Sequence, residues 1–196
     1  MQHEGRVETL ADHVGSASVT RDLSLILAAS VAVGLLAQVQ ISLAWTPVPI
    51  TLQPFGVFLA GAALGSRRGA LAMLAYLAEG AAGLPFFAGG SAGIAHLLGP
   101  TGGYLFGFVP TAFAIGFLAE RGWDRSPLKA FLAMCVGSVV LFACGLAQLA
   151  AFVPRSELLR AGFTPFLVGD LIKMLAAAAL LPSVWKILER GGWIRH

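Results

Sequence analysis

Charge is what this sequence has least of. Lys and Arg total 13 and Asp and Glu 10 among 196 residues, so charged side chains make up 12% of the chain against 57% apolar residues. With a mean hydropathy of +0.80, this balance excludes an ordinary soluble domain and places the chain among multi-span membrane proteins. The net charge of +3 and a pI near 9.2 do not signal nucleic acid, because the basic residues stand singly or in pairs between apolar runs instead of along one stripe. Cysteine is also scarce. Cys135 and Cys144 are nine residues apart on one expected helix, hence about 13 Å apart and beyond the ~7 Å limit for a bridge, so they read as small buried apolar residues. His96 has no second His and no Cys nearby, which excludes a metal site. Gly99-Pro100-Thr101-Gly102-Gly103 lacks the Gly-Lys-Ser/Thr of a phosphate loop, so the chain is not its own ATPase and no cofactor is expected. Nor does any nucleophile stand with its base, as an enzyme would require.

The residues from Met1 to Asp22 mix acids with Arg6 and Arg21 and contain no short apolar stretch with a cleavage site. They read as a loose cytoplasmic leader, not as a signal peptide. Six apolar runs follow, at about 23–41, 51–66, 69–83, 101–119, 128–151 and 165–186. The expected architecture is therefore all-α: residues 23–189 form a bundle of six transmembrane helices, followed by a cytoplasmic tail at 190–196. Runs two and three are short and flanked by Pro and Gly, and short or broken spans are tolerated where they line a cavity.

Orientation comes from the basic residues. Arg6, Arg21, Arg67, Arg68, Arg121, Arg125, Lys129, Lys186, Arg190 and Arg195 fall on one side of a six-span chain, and only Arg155 and Arg160 on the other. The positive-inside rule then puts both termini in the cytoplasm of a multi-pass cell-membrane protein. Trp123, Trp185 and Trp193 fall near the inner interface and Trp45 near the outer one, as an aromatic belt would.

Gly169-Asp170-Leu171-Ile172-Lys173 places an acid and a base inside the last apolar run. Each charge at mid-membrane costs roughly 2.5 to 3.5 kcal/mol on insertion scales, so the two need a reason to be there. Their i, i+3 spacing lets them pair on one face. With Thr164 as helix cap and Pro165 at the first position, both lie within one or two turns of the outer membrane face. Two readings fit: a salt bridge that fixes one helix against another, and a polar ligand site reachable from outside. We favour the second.

Two outward connections support a site there. Residues 45–54 carry three prolines and no charge, which makes a stiff segment. Residues 80–103 are rich in glycine yet carry Phe86, Phe87, Leu97 and Leu98, more apolar surface than a solvated linker holds, and read as a lid over the pocket. Gln53, Tyr76 and Tyr104 either supply hydrogen bonds in that pocket or anchor span ends, and Glu79 is either a ligand or ion contact or an interfacial residue reaching water. In the first run Ala28 and Ala32 stand one turn apart with Ser30 and Gly34 beside them, a small-residue face that permits close helix contact or arises by chance. Gly61 and Gly65 repeat the pattern.

Four motifs occur in order: PVPITLQ at 47–53, GLPFFAGG at 83–90, GPTGGY at 99–104 and GDLIK at 169–173. Together they resemble the BioY family, the biotin-specific membrane subunits of energy-coupling factor transporters. The resemblance covers roughly residues 20–190. It implies a six-helix substrate-binding subunit that captures biotin from outside beneath loops one and three. Its implied partners are a transmembrane coupling (T) subunit and a pair of cytoplasmic ATPases, docked through small residues of the first helix that Ala28 and Ala32 match. Asp170 and Lys173 match the family's binding acid and base. Pro54 and Glu79 depart from the expected pattern. The residues alone say membrane protein with a polar pocket; only the resemblance says biotin, whose apolar bicycle, ureido group and carboxylate suit an acid, a base, an amide and an aromatic lid. The rivals are a proton-coupled secondary carrier for a small carboxylate-bearing metabolite, with Asp170 and Glu79 as the relay, and a small intramembrane enzyme or structural subunit.

Overall fold

A computed structural model describes residues 7–192 of the chain. Its helices are α1 (Val19–Leu36), α2 (Gln53–Leu64), α3 (Ser66–Ala81), the single turn α4 (Ile94–Leu97), α5 (Gly102–Ala119), α6 (Pro127–Leu149), the short α7 (Leu158–Gly162) and α8 (Leu167–Arg190). The six apolar runs thus all become helices, with ends shifted by a few residues. Four segments are long and apolar enough to cross a membrane: Val19–Leu36, Gly102–Ala119, Pro127–Leu149 and Leu158–Arg190. Helix α2, with 12 residues, is apolar but shorter.

Local chemistry sets several boundaries. Ser18 caps α1 by accepting from the Arg21 amide at 3.1 Å, with Asp22 in the first turn complementing the helix dipole. Ser126 caps α6 in the same way, with Pro127 at its first position. A single residue, Gly65 at φ +83°, reverses the chain between α2 and α3, a conformation L side chains avoid. This tight reversal lies against α5: a Cβ on Gly116 would stand within 2.7 Å of the Gly65 carbonyl oxygen, and one on Gly61 equally close to that of Ala112. The small residues of run two therefore serve contacts inside the bundle, where backbone meets backbone.

Alternate connections gather the segments 37–52, 82–101 and 150–166 at one end of the bundle, called here the loop end. A short antiparallel hairpin, β1 (Gln40–Ile41) with β2 (Ile50–Thr51), stiffens the first of these. Toward the loop end the core is aromatic, with Tyr76, Phe87, Tyr104, Phe108, Phe142 and Phe166 buried together. Phe58, Ile115, Met134 and Leu181 fill the opposite end. Large apolar side chains left uncovered, such as Leu23, Leu27, Val31 and Leu35 on α1 and Leu171, Ile172 and Leu175 on α8, form faces suited to lipid.

Several expectations are corrected. Residues 7–13 are not loose. Thr9 and Ala11 are buried, a 3-10 turn runs from Leu10 to His13, and Leu10 packs on the core at the end opposite the loops. The turn is held by a capping box between Thr9 and Asp12, by the Asp12–Arg68 ion pair at 2.6 Å and by the Val7 amide donating to the Glu120 carbonyl. Trp185 does not join an interfacial belt: it is 1% exposed, donates to the Asp124 carboxylate at 2.6 Å and lies beneath the Arg125 guanidinium. Cys135 and Cys144 are free thiols, half-buried instead of fully buried. Thr164 opens a 3-10 turn, its hydroxyl donating back to the Arg160 carbonyl, and α8 begins only at Leu167. Trp193, Arg6, Arg195 and most of the tail at 190–196 lie outside the described residues.

Candidate ligand-binding site

Asp170 and Lys173 sit in the first two turns of α8. Their side chains are 5% and 7% exposed, and Lys173 Nζ lies 2.8 Å from Asp170 Oδ1. A carboxylate near a helix N-terminus is favoured by the dipole, which helps to explain why the acid precedes the base. Among the described residues Lys173 spends one of its three donors on protein, and Asp170 Oδ2 accepts nothing. The pair therefore retains both donor and acceptor capacity for a third group.

That capacity faces a cavity of about 50 Å³ between the loops and α2, α5, α6 and α8. Its polar rim comprises Thr51, Gln53, His96, Thr101, Asp170 and Lys173, and Tyr104, Phe108, Phe142 and Phe166 supply aromatic walls. The stiff first loop contributes Val48, Pro49 and Pro54. It is pinned from beneath by Thr46, whose hydroxyl donates to the Ala161 carbonyl at 2.7 Å and accepts the Val48 amide. A second chamber of about 360 Å³ lies between the first and second loop segments, bounded by Ser42, Thr46, Pro47, Ala95, Gly99 and Pro100 among others. The two spaces share Pro49, Ala88, His96 and Thr101.

Of the residues singled out from sequence, Asp170, Lys173, Gln53 and Tyr104 line the inner cavity. Tyr104 is held by its hydroxyl donating to the Gly162 carbonyl at 2.6 Å, over Gly145 and Gly103, whose missing side chains make room for it and its helix. Gln53 accepts from the Thr51 hydroxyl at 3.0 Å and donates to the Tyr76 hydroxyl, which donates in turn to the Phe86 carbonyl at 3.1 Å. Tyr76 and Phe87 are fully buried and lie behind the cavity, meeting edge to face with ring centroids 5.6 Å apart. They brace the wall and the lid. Glu79 is elsewhere, accepting a hydrogen bond from Ser30 of α1 at 3.1 Å. Ala28 and Ala32 lie uncovered on the outward face of α1.

His96 is the residue that sequence reasoning passed over. Its ring stacks on Phe87 at 5.2 Å and 18°, and Nε2 is 3.3 Å from the Thr101 hydroxyl, at the neck between the two spaces. The signal was its place five residues before Thr101, inside the segment that carries GPTGGY. Burial pushes its pKa below the ordinary imidazole value. No group of three or more His, Cys, Asp or Glu stands together among the described residues.

With this geometry in hand, comparison with known proteins is decisive: the BioY family profile matches residues 6–190. The chain belongs to the BioY family. It is 41% identical over 149 residues to a protein of Thermotoga maritima named biotin transporter BioY, covering 75% of this chain and 86% of that one. A protein of the same name from Rhizobium etli is 43% identical over 173 residues, covering 82% and 91%. Among solved structures, the S-component for biotin from an ECF-type ABC transporter matches with a TM-score of 0.75 and 26% identity, over 87% of this chain and 95% of that one. These BioY relatives are named as transporters, a family without enzymatic chemistry of its own, and the chain is a multi-pass membrane protein.

Proposed function

We propose that the chain is the biotin-binding membrane subunit of an energy-coupling factor importer and mediates biotin uptake. The observation that carries this reading is the meeting of Asp170, Lys173, Gln53 and Tyr104 around one cavity in a chain of the BioY family. A ureido group has two donors and one acceptor side by side, matching an unpaired carboxylate oxygen with an ammonium and an amide, and its apolar rings match the aromatic wall. Asp170, Lys173, Gln53 and Tyr104 act as direct ligand contacts, with Tyr76 and Phe87 supporting them. Glu79 is the weakest member of the expected set, since it turns toward Ser30 of α1.

In this reading α1, α2, α3, α5, α6 and α8 form the membrane domain in the bacterial cytoplasmic membrane, with both termini inside. Residues 1–22 form the cytoplasmic N-terminal segment, 23–189 the membrane domain and 190–196 the tail. The loop end faces outward and covers the pocket. The uncovered face of α1 with Ala28 and Ala32 takes the transmembrane coupling subunit, which joins the chain to its ATPase pair. The proton-carrier reading requires Glu79 and Asp170 on one route, and the position of Glu79 beside α1 gives that no support. Titration calorimetry of the purified chain in nanodiscs against a panel of vitamins tests the proposal. Biotin alone is expected to bind, and a preference for another vitamin would overturn it.

A further inference from the structure

Helices α3 and α5 run antiparallel, side by side. Toward the loop end the Tyr76 and Phe108 rings meet at 6.2 Å, and at the opposite end the Glu120 carboxylate accepts from the Ser66 amide at 2.8 Å and hydroxyl at 2.9 Å. Each helix turns an apolar stripe away from the bundle, and each stripe ends in an arginine. On α3 the exposed residues are Arg67, Leu71 and Leu74; on α5 they are Phe106, Phe113 and Phe117, with Arg121 just past the helix end. Spacings of three, four and seven keep each set on one face. The rise from Phe106 to Phe117 is about 16 Å at ~1.5 Å per residue, close to half of a ~30 Å hydrocarbon core. Because Ser66 is held against Glu120, the residues that follow them, Arg67 and Arg121, stand together at the head of the two stripes.

Charge at that head is one-sided. Arg121 lies flat over the Phe117 ring, its Cζ 3.3 Å from the ring centroid, and donates to the Phe117 carbonyl at 2.8 Å. Neither Arg121 nor Arg67 has a carboxylate partner among the described residues. Glu120, their acidic neighbour, is buried against Ser66, and Arg68 is engaged by Asp12 and Asp22. Phe113 stacks on Phe117 at 6.3 Å and 17°, so the aromatic surface below the cation is already ordered. Two unneutralised guanidinium groups above two apolar stripes are complementary to a molecule with one anionic head and two hydrocarbon chains. An acidic protein surface would satisfy the cations and leave the stripes uncovered.

We propose that the α3–α5 face is a binding site for an anionic phospholipid of the leaflet at the end opposite the loops. The phosphate lies between Arg67 and Arg121, one acyl chain follows Phe117 and Phe113, and the other follows Leu71 and Leu74.

The test is native mass spectrometry of the full chain released from nanodiscs of phosphatidylglycerol and phosphatidylcholine with the same acyl chains. Retained phosphatidylglycerol should be enriched about twenty-five-fold, about fivefold for each cation. Arg67→Gln and Arg121→Gln should each lower the enrichment about fivefold, and the double variant should approach parity. Arg67 is exposed and unpaired, so its variant remains readable even if freeing Phe117 of Arg121 disturbs the end of α5. Lys129→Gln with Lys186→Gln removes the same charge from exposed sites on α6 and α8 at the same end, and should leave the enrichment within about twofold. Excess glycerol 3-phosphate, a head without chains, should displace nothing. No enrichment in wild type overturns the proposal, as does an equal loss in the lysine pair, which would reduce the effect to general surface charge. Displacement by glycerol 3-phosphate would deny the chains any part. Loss of the coupling subunit from the double arginine variant with lipid enrichment intact would give this face to a protein instead.

Discussion

Lys173 is 7% exposed, and its ammonium lies 2.8 Å from Asp170, so neither residue can be removed alone without stranding the other. Breaking a buried pair from one side costs about 3 to 5 kcal/mol, whereas replacing both partners by apolar groups is often tolerated. Lys173→Met should therefore lower thermal stability sharply, and Asp170→Leu with Lys173→Met should restore it. The two functions of the pair separate in the double variant. If the pair contacts ligand, the refolded double variant loses about 3 kcal/mol of biotin affinity, more than a hundredfold, in titration calorimetry. Near-normal affinity would leave Asp170 and Lys173 as a helix-packing device. The pair was legible in the sequence because two charges in an apolar run are conspicuous. His96 was not, because its only signal was its place five residues before Thr101; its position at the cavity depends on Phe87 and Thr101 being brought around it by the fold.

At the scale of elements, α1 and the loop over 82–101 have opposite characters. Helix α1 presents Ala28 and Ala32 among exposed apolar neighbours, with Ser30 and Val33 turned inward. Ala28→Trp or Ala32→Trp is expected to disrupt co-purification with the coupling subunit while leaving biotin binding by the isolated chain within about twofold, since neither residue lines the cavity. Loss of ligand binding with an intact complex would reverse the assignment of that face. The loop, by contrast, is anchored by Phe87, packed flush against Gly80, while Leu84, Ile94 and Leu98 are exposed. Ligand should increase hydrogen-exchange protection between residues 88 and 101, where Ala88, His96 and Thr101 line the cavity. Equal protection with and without biotin would mark the loop as a fixed plug. The six main helices, α1, α2, α3, α5, α6 and α8, could be read from the six apolar runs, two of them short. The hairpin, α4 and α7 could not, since elements of two to five residues are set by tertiary contacts such as Thr46 with Ala161.

For the molecule as a whole, the ordered segment at 7–13 changes what holds the bundle together at the end opposite the site. It was missed because a polar, mixed-charge stretch has the composition of a solvated leader, and only the fold shows its charges engaged. Asp12 pairs with Arg68 of α3, Arg68 also reaches Asp22 of α1 at 3.3 Å, and Arg125 donates to the Glu8 carbonyl at 3.2 Å. Desolvation acts to raise the Asp12 pKa, but the hydrogen bonds from Arg68 and Thr9 and the Arg68 charge outweigh it, so the folded carboxyl lies below the ordinary aspartate value. A depressed carboxyl pKa contributes stability that is present above the unfolded pKa and lost as pH falls through the folded one. Asp12→Asn should thus lower stability by about 1 kcal/mol at neutral pH, a modest figure because both side chains are partly exposed. The difference from wild type should narrow as pH falls through the folded pKa. Biotin affinity should not change, because none of these residues lines the cavity. Thermal melts of the two proteins in the same detergent from pH 3 to 8 check the first part and calorimetry the second. A gap that does not narrow at all with falling pH would mean that the charge of Asp12 contributes nothing, and a fall in biotin affinity would mean that the segment and the pocket are coupled through α2 and α5.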